Sequence, residues 1–354
     1  MSTDALDILK KYRGIVWPKV QEYLINPPYP SQFSIPATYK PDAKFHSALI
    51  SEYPLRQGKY LRPTLLVLAA QAMGERYQKV LPTAAAMQVS EEWLLIHDDI
   101  EDNSLQRRGK PTLHFMYTPE LAINAGDALQ VTMWGILLDN FKILSTNKSI
   151  KILSEFCTML TRTALGQTVE IKWTQDNRIK FTDRDWFFIA DGKTSYYTIA
   201  GPLRLGAILA GANPKQLSAL ADFGLLLGRC FQLTDDILDI TSGFDGLKKQ
   251  TGNDIYEGKR TILLGHLLRS TNHSDAKKLF AILKKTHDQK TPQEVVWVID
   301  KMREYGSIDY AKTLAKQLKI QALSRFQTDL KFLSHQPYRQ QLETLIDFVL
   351  NRDH

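Results

Sequence analysis

Apolar residues recur every three or four positions along most of the chain, which is the spacing of one face of an α-helix. The pattern is clearest in residues 61–73, 82–101 and 217–240. Alternation at period two, which is typical of a half-buried strand, is absent, and the Asp245-Gly246 pair has no strand pattern beside it. The sequence therefore predicts an all-α fold.

Proline and glycine indicate where these helices end. Residues 26–41 contain five prolines and are predicted to be non-helical, either tethering a helix over residues 4–25 to the main body or forming a disordered linker. Further turns are expected at Gly58, Gly109-Lys110-Pro111, Gly201-Pro202 and residues 242–261. No internal repeat and no second linker are evident, so residues 1–354 are predicted to form one helical domain, with 1–41 as its N-terminal extension.

Composition narrows the class of protein. Of 354 residues, 44% are hydrophobic and 23% are charged, as in globular proteins. Two cysteines, Cys157 and Cys230, are too few for a disulfide framework or a Cys-rich zinc module. Asp4 and Asp7 stand where a signal peptide needs apolar residues, and no run of 18 apolar residues occurs. We expect a soluble, cytoplasmic protein without a transmembrane segment.

The charge of the chain points toward an anionic partner without identifying it. The net charge is +7 and the isoelectric point is about 9.1. Nucleic acid, membrane headgroups and a phosphorylated small molecule would each fit, as would a lysine-rich solvated surface with no such partner.

Two segments share a pattern of aspartates, Asp98-Asp99-Ile-Glu-Asp102 and Asp235-Asp236-Ile-Leu-Asp239. On a helix, residues four apart lie on one face with Cβ atoms about 5–6 Å apart, and like charges at that spacing are destabilising. Oxygen ligands of this kind suit Mg²⁺, which binds one or two carboxylates together with substrate phosphates. A solvated acidic face is the alternative, but it does not account for two copies that each follow an apolar run.

Basic residues follow or precede both aspartate segments, and Arg and Lys beside acid-bound magnesium are suited to diphosphate groups. They are Lys59, Arg62, Arg107, Arg108, Lys110, Lys248, Lys249, Lys259 and Arg260. The chain has no P-loop or Rossmann fingerprint and no Glu-x-x-His pair of a di-iron bundle. His97 is expected to orient an aspartate or a loop, with metal binding as the alternative.

Seven segments in succession resemble the signatures of the trans-isoprenyl diphosphate synthases, also called polyprenyl synthetases. They are GKYLRP, LIHDDIEDNSLQRRGKPTLH, NAGDAL, GQTVE, DGKTSYYTIAGPLRLGAILAG, FQLTDDILDI and GNDIYEGKRTILL, and they lie in family order within residues 58–264. The resemblance implies an all-α, isoprenoid-synthase-type helical bundle around a central cavity, usually as a homodimer. It implies a reaction that joins isopentenyl diphosphate to an allylic diphosphate (dimethylallyl, geranyl or farnesyl) and releases pyrophosphate, with no nucleic-acid partner.

The resemblance also implies roles for individual residues. Asp98, Asp102 and Asp235 match direct ligands of three Mg²⁺ ions, and Asp236 and Asp239 match positions that act directly or through water. Arg107, Lys193 and Lys259 correspond to residues beside the allylic diphosphate, and Lys249 is a further candidate for binding substrate. Lys193, Thr194 and Gln232 match positions that face the allylic cation. Lys59, Arg62 and Arg108 match the positions that hold isopentenyl diphosphate.

Product length in the family depends on the residues four and five before the first Asp, here Leu94 and Trp93. A bulky Trp93, together with a first motif that has no two-residue insertion, resembles the short-chain, geranylgeranyl-type enzymes. A product of fifteen to twenty carbons is expected, with geranylgeranyl diphosphate favoured over farnesyl diphosphate.

Two positions depart from the family pattern. Glu91 stands where the family usually has His or Gln against isopentenyl diphosphate, and a carboxylate there repels a diphosphate unless it is protonated or paired with Lys59 or Arg62. Asn253 stands where many members have Lys or Gly, a change for which Lys248 and Lys249 could compensate. Two alternatives remain: an irregular-coupling or cyclising terpenoid enzyme on the same scaffold, which Glu91 favours, and a non-catalytic partner subunit, against which the intact aspartate motifs argue.

Overall fold

The computed structural model describes residues 4–25, 33–241 and 251–351. Within them the chain is almost entirely helical, as predicted. The α-helices are α1 (Ala5–Ile25), α2 (Lys40–Leu55), α3 (Leu61–Ala72), α4 (Tyr77–Glu101), α5 (Leu113–Met116), α6 (Pro119–Ile143), α7 (Thr146–Gln175), α8 (Asp183–Ala190), α9 (Gly201–Leu209), α10 (Pro214–Thr241), α11 (Asn253–Glu257), α12 (Ile262–Ser270), α13 (His273–Leu283), α14 (Pro292–Glu304), α15 (Ser307–Asp329) and α16 (Tyr338–Leu350).

Shorter elements complete the description. Asp191–Ala200 is π-helical, and Ala37–Tyr39 and His287–Gln289 are 3₁₀ turns. A two-residue antiparallel hairpin is formed by β1 (Gln106–Arg107) and β2 (Lys110–Pro111).

The chain divides into two compact units, so the prediction of one domain over residues 1–354 stays a prediction. One unit is Met1–Glu155, Pro202–Asn213 and Leu333–Thr344; the other is Phe156–Gly201, Pro214–Phe332 and Leu345–His354.

Helix α4 is the central element of the first unit and is buried along most of its length. It packs against α1, α3 and α6. The N-terminal helix is tied to this unit by the Tyr12 hydroxyl, which lies 2.9 Å from Gln71 Oε1 and 3.1 Å from Gln341 Oε1. The apolar spacing that predicted these helices therefore marks the faces they bury.

Helix α10 is central in the second unit, where it packs against the π-helical segment and α15. Two glycines allow the close approach. A Cβ added at Gly228 would lie 2.4 Å from Ser195 Cα, and one added at Gly224 would lie 2.5 Å from Ala200 Cα. The backbone of the π-helical segment, which carries Lys193 and Thr194, is thereby held directly against the aspartate-bearing helix.

We expect Gly228→Ala to lower the free energy of unfolding by about 1–3 kcal/mol, because the new methyl group overpacks this contact. Gly14→Ala is the matched control, since nothing lies within 4 Å of its added Cβ, and it should raise stability by about 0.5–1 kcal/mol. Denaturant unfolding followed by circular dichroism measures both changes. Equal effects of the two substitutions would contradict the close-packing assignment.

Two sequence expectations about proline are wrong. The predicted turn at Gly201-Pro202 is instead continuous helix, because α9 begins directly after the π-helical segment. A change from π to α bonding leaves backbone acceptors without regular partners, so a residue without an N–H is tolerated there. Pro41 is also helical, in the first turn of α2, where its fixed φ favours helix initiation. Residues 26–32 of the proline-rich segment lie outside the described residues.

Among the described residues, one helix, α6, is long and apolar enough by length and composition to cross a membrane. Within its apolar window, 44% is buried inside the protein. The buried side is the one that packs against α4, so the same helix also serves as a core element of its unit.

Candidate functional site

The first aspartate motif lies at the C-terminal end of α4 and separates into two parts. Asp98 is in the last turn, with its side chain 27% exposed, and Asp102 caps the helix and donates its backbone N–H to Asp98 O at 2.9 Å. Asp99 between them is fully buried. Two carboxylates one turn apart therefore remain available to solvent, and the third is enclosed.

Buried Asp99 is an anchor for Arg107. The Arg107 Nε lies 3.0 Å from both carboxylate oxygens of Asp99, and its Nη2 makes a further short contact. The Tyr53 hydroxyl donates to Asp99 Oδ2 at 2.6 Å. Burial, reinforced by this negative charge, raises the pKa of Tyr53 above its ordinary range. The guanidinium is thus held beside Asp98, 3.6 Å from its Oδ2.

A second buried carboxylate anchors the next arginine in the same way. Glu92, fully buried, accepts from Arg108 Nη1 at 3.1 and 2.9 Å and from Gln88 Nε2 at 2.6 Å. Burial raises the pKa of Glu92, while the guanidinium opposes that rise. A Cβ added at Gly58 would lie 2.7 Å from Arg108 Nη2, so the glycine makes room for the arginine.

Sequence reasoning missed both anchors. Glu92 and Asp99 are seven residues apart, two helical turns, and they fall on the same side of α4 as buried Ile96. Charged residues on the buried stripe of an amphipathic helix are the signal that could have identified them.

We expect Glu92→Ala to lower the free energy of unfolding by about 3–5 kcal/mol, because it removes the fully buried carboxylate that makes the closest ion pair with Arg108. Glu92→Gln keeps acceptors for the guanidinium and should cost less, about 1–3 kcal/mol. Glu22→Ala, which removes an exposed i,i+3 pair with Lys19, is the control and should stay within about 0.5 kcal/mol. Thermal and urea unfolding would contradict the anchor role if Glu92→Ala behaved like the control.

Glu91 is paired with arginine. Pairing and protonation are the two conditions under which a carboxylate at this position does not repel a diphosphate. Its Oε1 lies 3.2 Å from Arg62 Nη1 and 3.6 Å from Arg108 Nη2. The residue is only 9% exposed, and its Oε2 is buried without a hydrogen-bond partner among the described residues. Lys59, the other predicted partner, has an exposed side chain.

The predicted chain-length residues lie on α4 one turn before Asp98. Trp93 is 8% exposed and its indole ring packs edge-on against His97 at 5.7 Å, while Leu94 is half-buried. His97 Nε2 lies 3.6 Å from Asp127 Oδ1, and a Cβ at Gly126 would lie 2.3 Å from that nitrogen. His97 therefore contacts an aspartate of α6, in keeping with an orienting role.

The second motif lies at the C-terminal end of α10 in the other unit. Asp235 is half-buried, and Asp236 is buried with its Oδ1 accepting from Gln232 Nε2 at 2.8 Å. Asp239 accepts the backbone N–H groups of Asn253 and Asp254, each at 3.1 Å. The turn that contains Asn253 is thus bound to the motif through its backbone.

Asp254 is a site residue that the sequence reasoning did not identify. Burial, followed by the negative charge of Asp254, raises the pKa of Asp239 to about 7 and also raises the pKa of Asp236. Lys259 Nζ lies 3.7 Å from Asp254 Oδ1 and 2.5 Å from Glu257 Oε2. The signal in the sequence was the Gly-Asn-Asp turn just before the predicted Lys259.

The other predicted basic residues of this unit have different surroundings. Lys193 Nζ pairs with Glu170 Oε2, and Thr194 beside it is half-buried. Arg260 is buried and donates to Arg178 O at 2.8 Å and to Asn177 Oδ1 at 2.7 Å, so it braces the loop and does not extend the basic cluster expected for diphosphate. Burial lowers the pKa of Arg260 to about 10. Lys248 and Lys249 lie outside the described residues.

The carboxylates present fit magnesium. Within the described parts of the chain, no group of three or more His, Cys, Asp or Glu is assembled into a metal cage. Mg²⁺ does not require one, because it binds through one or two carboxylates with water and substrate phosphates. Asp236 Oδ2 is buried without a hydrogen-bond partner, and Asp254 and Asp235 add negative charge that nearby Lys259 only partly offsets. A bound divalent cation would provide both a partner for this oxygen and the additional positive charge.

These features define an all-helical protein with an aspartate-rich motif at the end of a long helix in each unit. The chain belongs to the polyprenyl synthetase family, whose profile matches residues 45–302. It is 32% identical over 299 residues to the geranylgeranyl diphosphate synthase of Methanosarcina mazei, covering 84% of this chain and 86% of that protein.

Two further relatives support the assignment. The geranylfarnesyl diphosphate synthase of Natronomonas pharaonis is 32% identical over 313 residues, which cover 84% of this chain and 87% of that protein. The crystal structure of a geranylgeranyl pyrophosphate synthase from Corynebacterium glutamicum, complexed with isoprenyl diphosphate and magnesium, superposes with a TM-score of 0.83 at 26% identity and covers 97% of this chain and 99% of that chain. The all-α fold, the family and the prenyltransferase class predicted from the sequence are thus confirmed.

Proposed function

We propose that the protein condenses isopentenyl diphosphate with an allylic diphosphate to give a trans-prenyl diphosphate of fifteen to twenty carbons, with geranylgeranyl diphosphate favoured. The observation that carries the proposal is the arrangement of charged side chains around Asp98. A pair of partly exposed carboxylates, Asp98 and Asp102, stands beside a guanidinium that buried Asp99 holds in place. Carboxylates for a metal and a fixed cation for phosphate are the two requirements of an allylic diphosphate site.

We propose the following roles for individual residues in this reaction. Mg²⁺, for which we propose three ions, would supply positive charge to the diphosphate when the C1–O bond breaks. Asp98, Asp102 and Asp235 are the proposed ligands, with Asp236 and Asp239 acting directly or through water. Arg107, Lys193 and Lys259 stabilise the leaving pyrophosphate through charge-assisted hydrogen bonds.

The allylic cation left by that ionisation is stabilised by the dipoles of polar groups and not by charged side chains. The backbone of the π-helical segment at Lys193 and Thr194, together with the Gln232 amide, presents carbonyl and hydroxyl oxygens to it. A π-helix leaves carbonyls less regularly bonded than an α-helix does, and such segments occur frequently at functional sites. The isopentenyl double bond then attacks C1, and the departing pyrophosphate accepts the final proton.

Lys59, Arg62 and Arg108 are the proposed ligands of isopentenyl diphosphate. Arg62 and Arg108 already bind one carboxylate oxygen of Glu91, so two guanidinium groups converge on a single anionic position. Arginine forks bind carboxylate and phosphate oxygens with similar geometry, which makes this cluster suited to a diphosphate.

Trp93 and Leu94 are proposed to limit the product length. The relatives named as geranylgeranyl diphosphate synthases support a twenty-carbon product, and the relative named as a geranylfarnesyl diphosphate synthase indicates that length varies among similar chains. A buried indole close to the first motif is the largest barrier that a single side chain can supply.

A homodimer that works in the cytoplasm completes the proposal. Helix α6 exposes large apolar side chains on the side that faces away from α4, including Val131 at 69% and Leu138 at 59%. Exposed apolar rows of this kind mark protein–protein contacts. A second copy of the chain would cover the row, and light scattering of the purified protein measures the expected mass of two chains.

The assay combines purified protein, Mg²⁺, labelled isopentenyl diphosphate and each allylic primer in turn, and identifies products by chain length. We expect labelled prenyl diphosphates that disappear when Mg²⁺ is chelated. Product formed only after addition of an active synthase would identify a non-catalytic partner subunit. Consumption of the allylic diphosphate without uptake of isopentenyl label would identify a cyclising or irregular-coupling enzyme. Either result would overturn the proposal.

A further inference from the structure

Glu91 occupies an unusual electrostatic position for a residue in an anion-binding cluster. Its Oε1 lies within 3.6 Å of two guanidinium groups, those of Arg62 and Arg108, and its Oε2 is buried without a partner among the described residues. One oxygen of this carboxylate is therefore engaged by two arginines, while the other has an unused hydrogen-bonding capacity.

The charged and titratable groups around Glu91 come from four parts of the first unit. Glu92 is fully buried and held by Arg108 and Gln88. Burial raises the pKa of Tyr60 far above its ordinary range, so this phenol stays protonated. The titratable and charged groups around the cluster are Arg13 on α1, Lys59, Tyr60 and Arg62 at the start of α3, Glu92 on α4 and Arg108 of the hairpin.

We propose that Glu91 takes up one proton when the acceptor diphosphate binds to Arg62 and Arg108, so that recognition of the acceptor is coupled to pH. This inference rests on the proposed function, because it requires the acceptor diphosphate at these two arginines. The proton comes from solvent, forms an O–H bond on Glu91, and returns to solvent when the acceptor leaves.

The physical reason is the change in charge at the cluster. In the free protein, Glu91 neutralises part of the charge of Arg62 and Arg108. A diphosphate brought to the same guanidinium groups lies within a few ångströms of that carboxylate, and like charges at about 4–6 Å strongly disfavour the ionised form. A protonated Glu91 removes the repulsion, and its O–H becomes a donor for which the substrate oxygens are acceptors.

The test compares the wild-type enzyme with Glu91→Gln, which keeps the shape and cannot ionise. The KM for isopentenyl diphosphate is measured from about pH 5.5 to about pH 8.5 for both. Ionisation of the substrate itself affects both enzymes equally and cancels in the ratio. One coupled proton changes affinity by up to about tenfold per pH unit, so we expect the ratio of wild-type to Glu91→Gln KM to rise at least about tenfold across the range.

Calorimetry of isopentenyl diphosphate binding without allylic substrate gives an independent measurement. In buffers of different ionisation enthalpy, the wild type should take up close to one proton more than Glu91→Gln, and Glu22→Gln on α1 should match the wild type. Glu91→Met serves as a second uncharged variant if the Gln variant does not fold. A pH-independent KM ratio or equal proton uptake, with turnover intact, would overturn the inference. Absence of turnover and of acceptor binding in every variant would instead overturn the proposed function.

Discussion

Asp98→Ala and Asp235→Ala are each expected to lower turnover by about 10³-fold or more, because each removes charge stabilisation from the ionisation of the allylic diphosphate. The fold should survive both changes. Asp98 is partly exposed at a helix end, and Arg107 keeps its anchor on Asp99 when Asp98 is removed. Loss of one negative charge also relieves repulsion within each motif, so the melting temperature should hold or rise.

The control for this prediction is Asp222→Ala on α10, the helix that carries the second motif. Asp222 is exposed and lies more than three helical turns before Asp235, so its loss should leave turnover unchanged. Steady-state kinetics with saturating Mg²⁺ and thermal melting of each variant measure both parts of the expectation. Turnover within tenfold of wild type for both Asp98→Ala and Asp235→Ala would show that these aspartates do not serve the metal.

Trp93→Ala is expected to lengthen the product by one or more five-carbon units. Removal of a buried indole opens a space along α4 close to the first motif, and a growing prenyl chain can fill that space with apolar contacts. The substitution should also lower the free energy of unfolding by about 3–5 kcal/mol, the usual cost of deleting a large buried aromatic side chain. Mass spectrometry of the prenyl alcohols after dephosphorylation measures the change in length.

A graded pair of variants separates chain length from general damage. The Trp93 indole N–H has no hydrogen-bond partner among the described residues, so Trp93→Phe loses no hydrogen bond and should lengthen the product less than Trp93→Ala. Trp173→Phe, a buried tryptophan of the other unit, is the control and should leave product length unchanged. An unchanged product distribution in Trp93→Ala would place the barrier elsewhere, and a wild-type product beyond twenty-five carbons would refute the short-chain assignment.

Local periodicity was sufficient to predict the helices that carry the motifs. Residues 61–73, 82–101 and 217–240 were predicted as helical, and they coincide with α3, most of α4 and most of α10. Each of these helices buries a continuous apolar face, so the spacing of apolar residues reports directly on the burial that stabilises the helix. The one-turn spacing of Asp98 and Asp102 followed from the same periodicity.

Proline and glycine rules were less reliable where tertiary packing intervenes. Pro202 was predicted to mark a turn, yet it lies in the first turn of α9 because a π-helical segment precedes it. That segment is held by close contacts with Gly224 and Gly228 of α10. This conformation depends on contacts with residues that are distant in sequence. A rule based on local sequence therefore cannot predict it.

The sequence by itself determined that this protein is helical, that two aspartate motifs end two of its helices, and that arginine and lysine accompany them. These properties depend on residue type and on spacing within a few turns, which the chain carries locally. Only the tertiary structure decided which carboxylates are buried and hold an arginine in place, and which stay partly exposed. Asp99 and Asp98 are adjacent in sequence, but Tyr53 and Arg107 enclose only Asp99. Glu91 and Glu92 are separated in the same way, because burial and ion pairing depend on side chains that the fold brings from distant positions.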